Sequence, residues 1–242
     1  MAEREQVLLE RGFVLHQRPY RDSSQLLECM TVTHGRVGLV ARGSRRAANR
    51  QRALLQPFVP LRLSWVRRGE LGRLTQVEPE AASYVLAGQR LLAGFYGNEL
   101  LLRLTARSDA NAEVFSCYSR CLAQLAGAAN LARTLRLFEL ELLGALGYGL
   151  ELGGDSATGE PLHEDAHYVY ELEQGLRRVE QANGDTDSYS GRDLLALRDL
   201  KLDDESSLRT AQRLLGRVLR VHLGERPLQS RLVLQDIVSR GL

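Results

Sequence analysis

Several things are scarce in this chain. Its 242 residues include one lysine, Lys201, and three cysteines, Cys29, Cys117 and Cys121. So few thiols, odd in number, exclude the disulfide framework of small secreted domains. No run of about 18 apolar residues occurs, which excludes a membrane-spanning helix. The opening "MAEREQVLLERG" lacks the basic-then-apolar layout of a secretory signal. These absences point to a soluble cytoplasmic protein without membrane contact. No phosphate-binding loop of the ATPase type is present, and "GYGLELGG" follows a helical pattern rather than a strand. Scattered Ser, His and Asp form no nucleophile motif. The sequence proposes no catalytic site, and an enzyme is not expected.

Acid is the residue class most unevenly missing. The stretch "LVARGSRRAANRQRALLQPF", Leu39 to Phe58, carries Arg42, Arg45, Arg46, Arg50 and Arg52 without one Asp or Glu. From Arg36 to Arg73 there are ten arginines and a single acid, Glu70. The formal net charge of +2 hides this, because residues 1–80 hold 14 arginines against 8 acids while the remainder is acidic. GC-rich coding produces arginine in place of lysine, but it does not remove acids. Clustered, uncompensated positive charge favours a polyanion. Arg36, Arg42, Arg45, Arg46, Arg50, Arg52, Arg67 and Arg68 are the candidate phosphate contacts. The competing reading is a solvated loop, or a basic surface that docks an acidic protein. A nuclease or glycosylase is the other class, but phosphoryl chemistry wants clustered carboxylates around a metal, and the basic part has almost none.

Residues 1–80 read as about five short strands. "QVLLERGFVLHQRPY", "QLLECMTVTHG" and "RVGLVARG" are apolar runs bounded by Gly, Pro, Asp and Ser, with a hairpin turn at Thr33–Arg36. "PLRLSWVRR" and "LGRLTQVEP" alternate around a turn near Gly69. The basic insert falls between the third and fourth strands. A five-stranded Greek-key barrel of the OB type has this size and places a helix or long loop at that gap; an SH3-like barrel competes on pattern alone. Phe13, Tyr20, Phe58 and Trp65 are candidate base-stacking platforms, although alternation would bury at least half of them in the core.

From about Glu80 the pattern turns helical. "NAEVFSCYSRCLAQLAG" is capped at Asn111 and ends at Gly127, and "NLARTLRLFELELLGALGYG" carries a stripe at Leu131, Leu135, Phe138, Leu142 and Leu146. A Gly- and acid-rich segment follows at about 150–188, with a short strand at His167–Tyr170. Helix resumes in "SGRDLLALRDL" and "SLRTAQRLLGRVLRVHLG", and "LQSRLVLQDIVSR" makes a last short helix. Cys117 and Cys121 share a helix face and read as core, since no second pair completes a zinc site. His163 and His167, beside Glu164 and Asp165, read as a solvated loop. The predicted fold class is α+β and multidomain: a barrel over 1–80, then a mainly helical domain over 81–242 with a small irregular insertion.

Taken in order, "GFVLHQRPYRDSSQLL", "GRVGLVARGSRR", "LQPF", "NELL", "RLFELELLGALGYG", "GEPL", "SGRDLLAL" and "HLGERPLQSR" resemble the RecO family of bacterial recombination mediators. The matches run from Gly12 to Arg231. The resemblance implies an N-terminal OB-fold followed by a helical domain, without turnover of a small substrate. It implies binding of single- and double-stranded DNA, annealing of complementary strands, and pairing with RecR. It also implies help in loading RecA on DNA covered by single-strand-binding protein, at the nucleoid. The family grips the acidic, Phe-ending tail of single-strand-binding protein. Arg136, just before Phe138, stands where the family has a basic residue for that tail; the alternative for Arg136 is a helix-surface salt bridge with Glu139 or a nearby acid. Several relatives carry a four-cysteine zinc site after the "GYG" helix. Here "GGDSATGEPL" has no cysteine, with Asp155 where relatives show one, so no metal or other cofactor is expected.

Overall fold

The computed structural model describes residues 4–45, 51–180 and 188–230. Five strands form a closed barrel: β1 (Glu5–Tyr20), β2 (Ser24–Thr31), β3 (Gly35–Ala41), β4 (Leu61–Arg67) and β5 (Leu71–Pro79), in the order β1-β2-β3-β5-β4. β1 is long enough to serve two partners. Its first half pairs with β4, from Glu5↔Arg67 to Gly12↔Leu61, and its second half with β2, from Gly12↔Thr31 to Tyr20↔Ser24. Irregularities at Val7/Glu10 and Val14/His16 let it bend from one partner to the other. The β2–β3 turn places Gly35 at φ 61°, where a Cβ would lie 1.9 Å from the Asp109 carbonyl oxygen. Glycine is required there for both reasons.

Closure rests on a short parallel contact, Gly38↔Leu71, Leu39↔Gly72 and Val40↔Arg73. A Cβ on Gly72 would sit 2.7 Å from the Leu39 side chain and 3.0 Å from the Trp65 ring, so the absent side chain lets β5 approach β3 over the core. Inside, Val14, Leu27, Leu39, Leu55, Leu61, Leu63 and Trp65 are fully buried. Truncating a residue like Trp65 to alanine costs about 3–5 kcal/mol in such settings. Phe13 and Phe58 are buried as well, and only Tyr20 of the four candidate aromatics keeps a half-exposed ring. The insert between β3 and β4 contains a one-turn helix, α1 (Gln51–Leu54).

Helix begins later than its composition predicts. Residues 80–87 run as an irregular strap and α2 spans Gly88–Leu104. The strap is pinned where it lies: Glu80 N–H donates to the Pro60 carbonyl and Tyr84 N–H to that of Phe58. Glu80 also pairs with Arg11 and Arg62. Tertiary bonding thus overrides local helix propensity. α3 (Ala112–Ala126) starts at Asn111, whose side chain accepts from the Glu113 and Val114 amides, and ends at Gly127. Cys117 and Cys121 are buried on its inner face. Asn98 on α2 is buried, donates to the Leu15 carbonyl of β1 at 2.8 Å, and accepts from the Tyr118 hydroxyl of α3. Beside it, Glu99 accepts from the Gln229 and Ser230 amides and from the Ser230 hydroxyl. The "NELL" motif therefore ties three segments together.

The chain forms two compact units. The first runs to Ala128 and takes in the described residues from Pro227 onward; the second is Ala129–Arg226. In the second, α4 (Leu131–Ala145) buries Phe138, Leu142 and Leu143, while Leu131, Leu135 and Leu146 are half-buried. The insertion holds a small antiparallel sheet: β6 (His167–Glu171), β7 (Gly175–Val179) and β8 (Ser188–Ser190), in the order β7-β6-β8. His163 is exposed and His167 half-buried. α5 (Gly191–Arg198) and α6 (Glu205–Leu223) are joined by buried Asp193, which accepts from the Ser206 and Thr210 hydroxyls, both at 2.9 Å. Most of the helix expected after Pro227 lies outside the described residues. Among these, no helix is long and apolar enough to cross a membrane.

Candidate nucleic-acid interface

Among the described residues the barrel carries a groove, about 530 Å³ in volume, lined by Tyr20, Arg21, Ser23, Ser24, Val40, Arg42, Gly43, Leu71, Gly72 and Arg73. It is built from three places far apart in sequence: the β1–β2 turn, the exit of β3, and the start of β5. The barrel closure brings them together, since Val40 pairs with Arg73 in the parallel contact and Gln25 pairs with Ala41. Three arginines line this groove and no acid does. Arg21, Arg42 and Arg73 are all exposed and, among the described residues, have no carboxylate partner. The Arg21 guanidinium sits 5.3 Å from the centroid of the Tyr20 ring, which leaves the ring flanked by charge.

Arg45 borders the groove. Its amide donates to the Ser23 carbonyl at 3.0 Å, and its guanidinium reaches the Arg21 and Asp22 carbonyls, each at 3.4 Å. These acceptors are neutral, so its charge is not cancelled. Arg52 on α1 and Arg68 after β4 are exposed. Arg46 and Arg50 lie outside the described residues.

Two of the sequence candidates are held differently. Arg36 donates to Glu28 at 2.8 Å and to the Thr105 carbonyl at 2.9 and 3.2 Å. Arg107 joins the same carboxylate, whose hydrogen bond raises the Arg107 pKa. Arg67 binds Glu5 at 2.7 and 2.8 Å and the Ser108 hydroxyl at 2.8 Å. These guanidinium groups fasten the 105–108 segment to the barrel wall. Conversely, the groove uses Arg21 and Arg73, which sequence reading did not single out. The only signal for them was their membership of the same acid-poor half.

Arg136, on α4, donates to Glu139 at 2.7 Å; its side chain is 12 % exposed and that of Glu139 is 1 % exposed. Phe138 between them is buried. In the insertion, buried Asp155 accepts from the Ala157 amide at 2.9 Å, while its own amide donates to the Glu160 carbonyl at 2.8 Å. The turn is closed by one carboxylate, and no cysteine lies between residues 150 and 188. Among the described residues no three His, Cys, Asp or Glu side chains converge as metal ligands do. Prolonged dialysis against a chelator should leave the thermal midpoint unchanged, read by calorimetry; a fall that added zinc restores would contradict this assignment.

The comparisons with known proteins agree along nearly the whole chain. Residues 6–82 match the family model "Recombination protein O N terminal", and residues 86–232 match "Recombination protein O C terminal". The DNA repair protein RecO of Nitrosococcus oceani is 44 % identical over 235 residues, 97 % of this chain and 96 % of that protein. Those of Methylococcus capsulatus and Alkalilimnicola ehrlichii are 42 % and 44 % identical, over 93 % and 96 % of this chain and 92 % and 93 % of theirs. A closed five-stranded barrel with a basic groove, helices after it, and two family models that together cover nearly every residue lead to one conclusion: the chain belongs to the Recombination protein O (RecO) family, proteins of DNA repair and recombination.

Proposed function

We propose that this protein is a DNA-binding recombination mediator that acts by holding strands rather than by turning over a substrate. One observation carries the reading: Arg21, Arg42 and Arg73 meet beside Tyr20 in a groove without acid. Guanidinium groups bind phosphate through paired, charge-assisted hydrogen bonds. A half-exposed ring beside them offers a face on which an unstacked base can lie. Arg45, Arg52 and Arg68 extend the phosphate track, with Arg46 and Arg50 in the same stretch. Arg36 and Arg67 contribute through the long-range field of the barrel more than by contact, since their donors are engaged by Glu28 and Glu5.

Neutralising two strands at once lowers the repulsion that opposes their pairing, so the chain anneals complementary strands. Together with RecR it helps load RecA on DNA coated by single-strand-binding protein, working in the cytoplasm at the nucleoid. Capture of the acidic tail of single-strand-binding protein belongs to the helical part, with Arg136 as the cation. Binding the tail carboxylate there requires Arg136 to exchange or share its bond with Glu139. Family membership supports this reading, and the acid-free groove supplies its physical basis. The test is annealing of two complementary strands precoated with single-strand-binding protein, either intact or lacking its last residues. Annealing that depends on the tail is expected. Equal rates with both forms would remove tail capture from the account, and no annealing of bare strands would remove its core.

A further inference from the structure

The second unit is acidic, with 12 Lys and Arg against 18 Asp and Glu in residues 129–226. Within it, α6 is the exception. From Arg209 to Gly224 it carries Arg209, Arg213, Arg217, Arg220 and His222 and no acid. The helix is amphipathic: Ala211, Leu214, Leu215, Val218 and Leu219 are buried, so the arginines share the opposite face. Arg209, Arg213 and Arg220 are exposed and Arg217 is half-buried.

The four arginines recur at intervals of three or four residues, which sets neighbours about 4.5–6 Å apart along the axis and the ends about 16 Å apart. Several of them are braced. Arg213 donates to the Ser188 carbonyl and lies 5.0 Å from the Tyr189 ring centroid. Arg209 faces Glu205 at 3.5 Å, a pair whose side chains are 67 % and 81 % exposed; such a pair contributes little and screens readily. Asp204 caps the helix start by accepting from the Ser207 amide at 2.9 Å.

We infer that the solvent face of α6 is a second DNA-backbone-binding surface, separate from the barrel groove, taking a phosphodiester chain along the Arg209–Arg220 line. A regularly spaced row of cations matches a linear polyanion. It does not match a protein segment anchored by apolar side chains, because Val221 is the one large apolar side chain of α6 that stands exposed. The inference rests on the DNA-binding reading above and extends it: a mediator that pairs strands needs somewhere for the second.

The test uses the full chain with Arg209→Gln, Arg213→Gln and Arg220→Gln combined. Protein is saturated on an immobilised oligothymidylate, and capture of a labelled, non-complementary second oligonucleotide is measured. The Arg42→Gln, Arg73→Gln groove variant runs in parallel. The α6 variant should bind the first strand within about threefold of wild type yet capture the second at least about tenfold less, with three phosphate contacts removed. The matching Arg→Lys set should restore capture, which a merely structural role would not. Unchanged capture in the Gln variant would overturn the inference, as would loss that Lys fails to restore. A wild-type protein that binds one strand and never a second would also overturn it while leaving single-strand binding at the barrel groove standing. Loss of an acidic peptide instead of DNA would reassign the face to a protein. Failure of the wild type to bind even the first strand would be failure of the proposed function itself.

Discussion

Exchanging Arg42 and Arg73 for glutamine should weaken binding of single-stranded DNA by at least about a hundredfold. On the proposed function each would contribute a charge-assisted bond to phosphate, worth about 1.5–3 kcal/mol, and about 1.4 kcal/mol is a factor of ten. Both line the groove, neither has a carboxylate partner among the described residues, and both are exposed, so their loss should not disturb the fold. The slope of log affinity against log salt should become shallower by about 1.4, at about 0.7 per phosphate on a single strand. Arg67→Gln is the informative comparison. Its guanidinium is bonded to Glu5 and Ser108, so it should lower stability by about 1 kcal/mol and leave affinity within about threefold. Anisotropy of a labelled oligonucleotide, paired with urea titrations, separates the two outcomes. If Arg67→Gln weakens binding as much as the groove pair does, the binding track runs along the β4 side of the barrel instead.

The second large effect lies in the fold. Asn98→Leu should destabilise the first unit by about 3–5 kcal/mol. The substitution removes both the donor to the buried Leu15 carbonyl and the acceptor of the Tyr118 hydroxyl bond, and the loss of each such buried bond costs about 1–3 kcal/mol. That is a large share of the 5–15 kcal/mol by which domains are stable. Tyr118→Phe alone should cost less, about 1–2 kcal/mol, and the double variant should cost clearly less than the sum of the singles, because the two share one bond. The surroundings favour this outcome: Phe13 packs at 5.3 Å edge-on to Tyr118 and at 5.4 Å to Phe115, so the apolar contacts survive. Trp65, the single tryptophan, is fully buried in the barrel and reports on this unit alone by fluorescence. Additive costs in the double variant would show that Asn98 and Tyr118 act independently.

Local signals made the strands legible. Alternating burial, the Gly35 turn and the Gly69 turn lie within a few residues of what they shape. Asn111 and Gly127 bound α3 for the same reason, and the Cys117–Cys121 spacing reads correctly as a buried face. The strap at 80–87 was not legible, because backbone bonds to Phe58 and Pro60 hold it, and composition carries no trace of them. The same limit applies to the groove. Counting arginines against acids along Arg36–Arg73 found the excess of charge but not its geometry. Glu28 is 8 residues from Arg36 and Glu5 is 62 residues from Arg67, so cross-strand pairing is invisible to a local count. Arg21 joins Arg42 through the β2–β3 pairing, and Arg73 joins it through the parallel β3–β5 contact, a non-local pairing that no window in the sequence contains.

One measurement bears most directly on the claim that this protein works by gripping phosphate: the salt dependence of wild-type binding to a single-stranded oligonucleotide. If about five phosphates are neutralised, log affinity should fall against log salt with a slope of roughly −3.5. An affinity that does not change with salt would contradict the account.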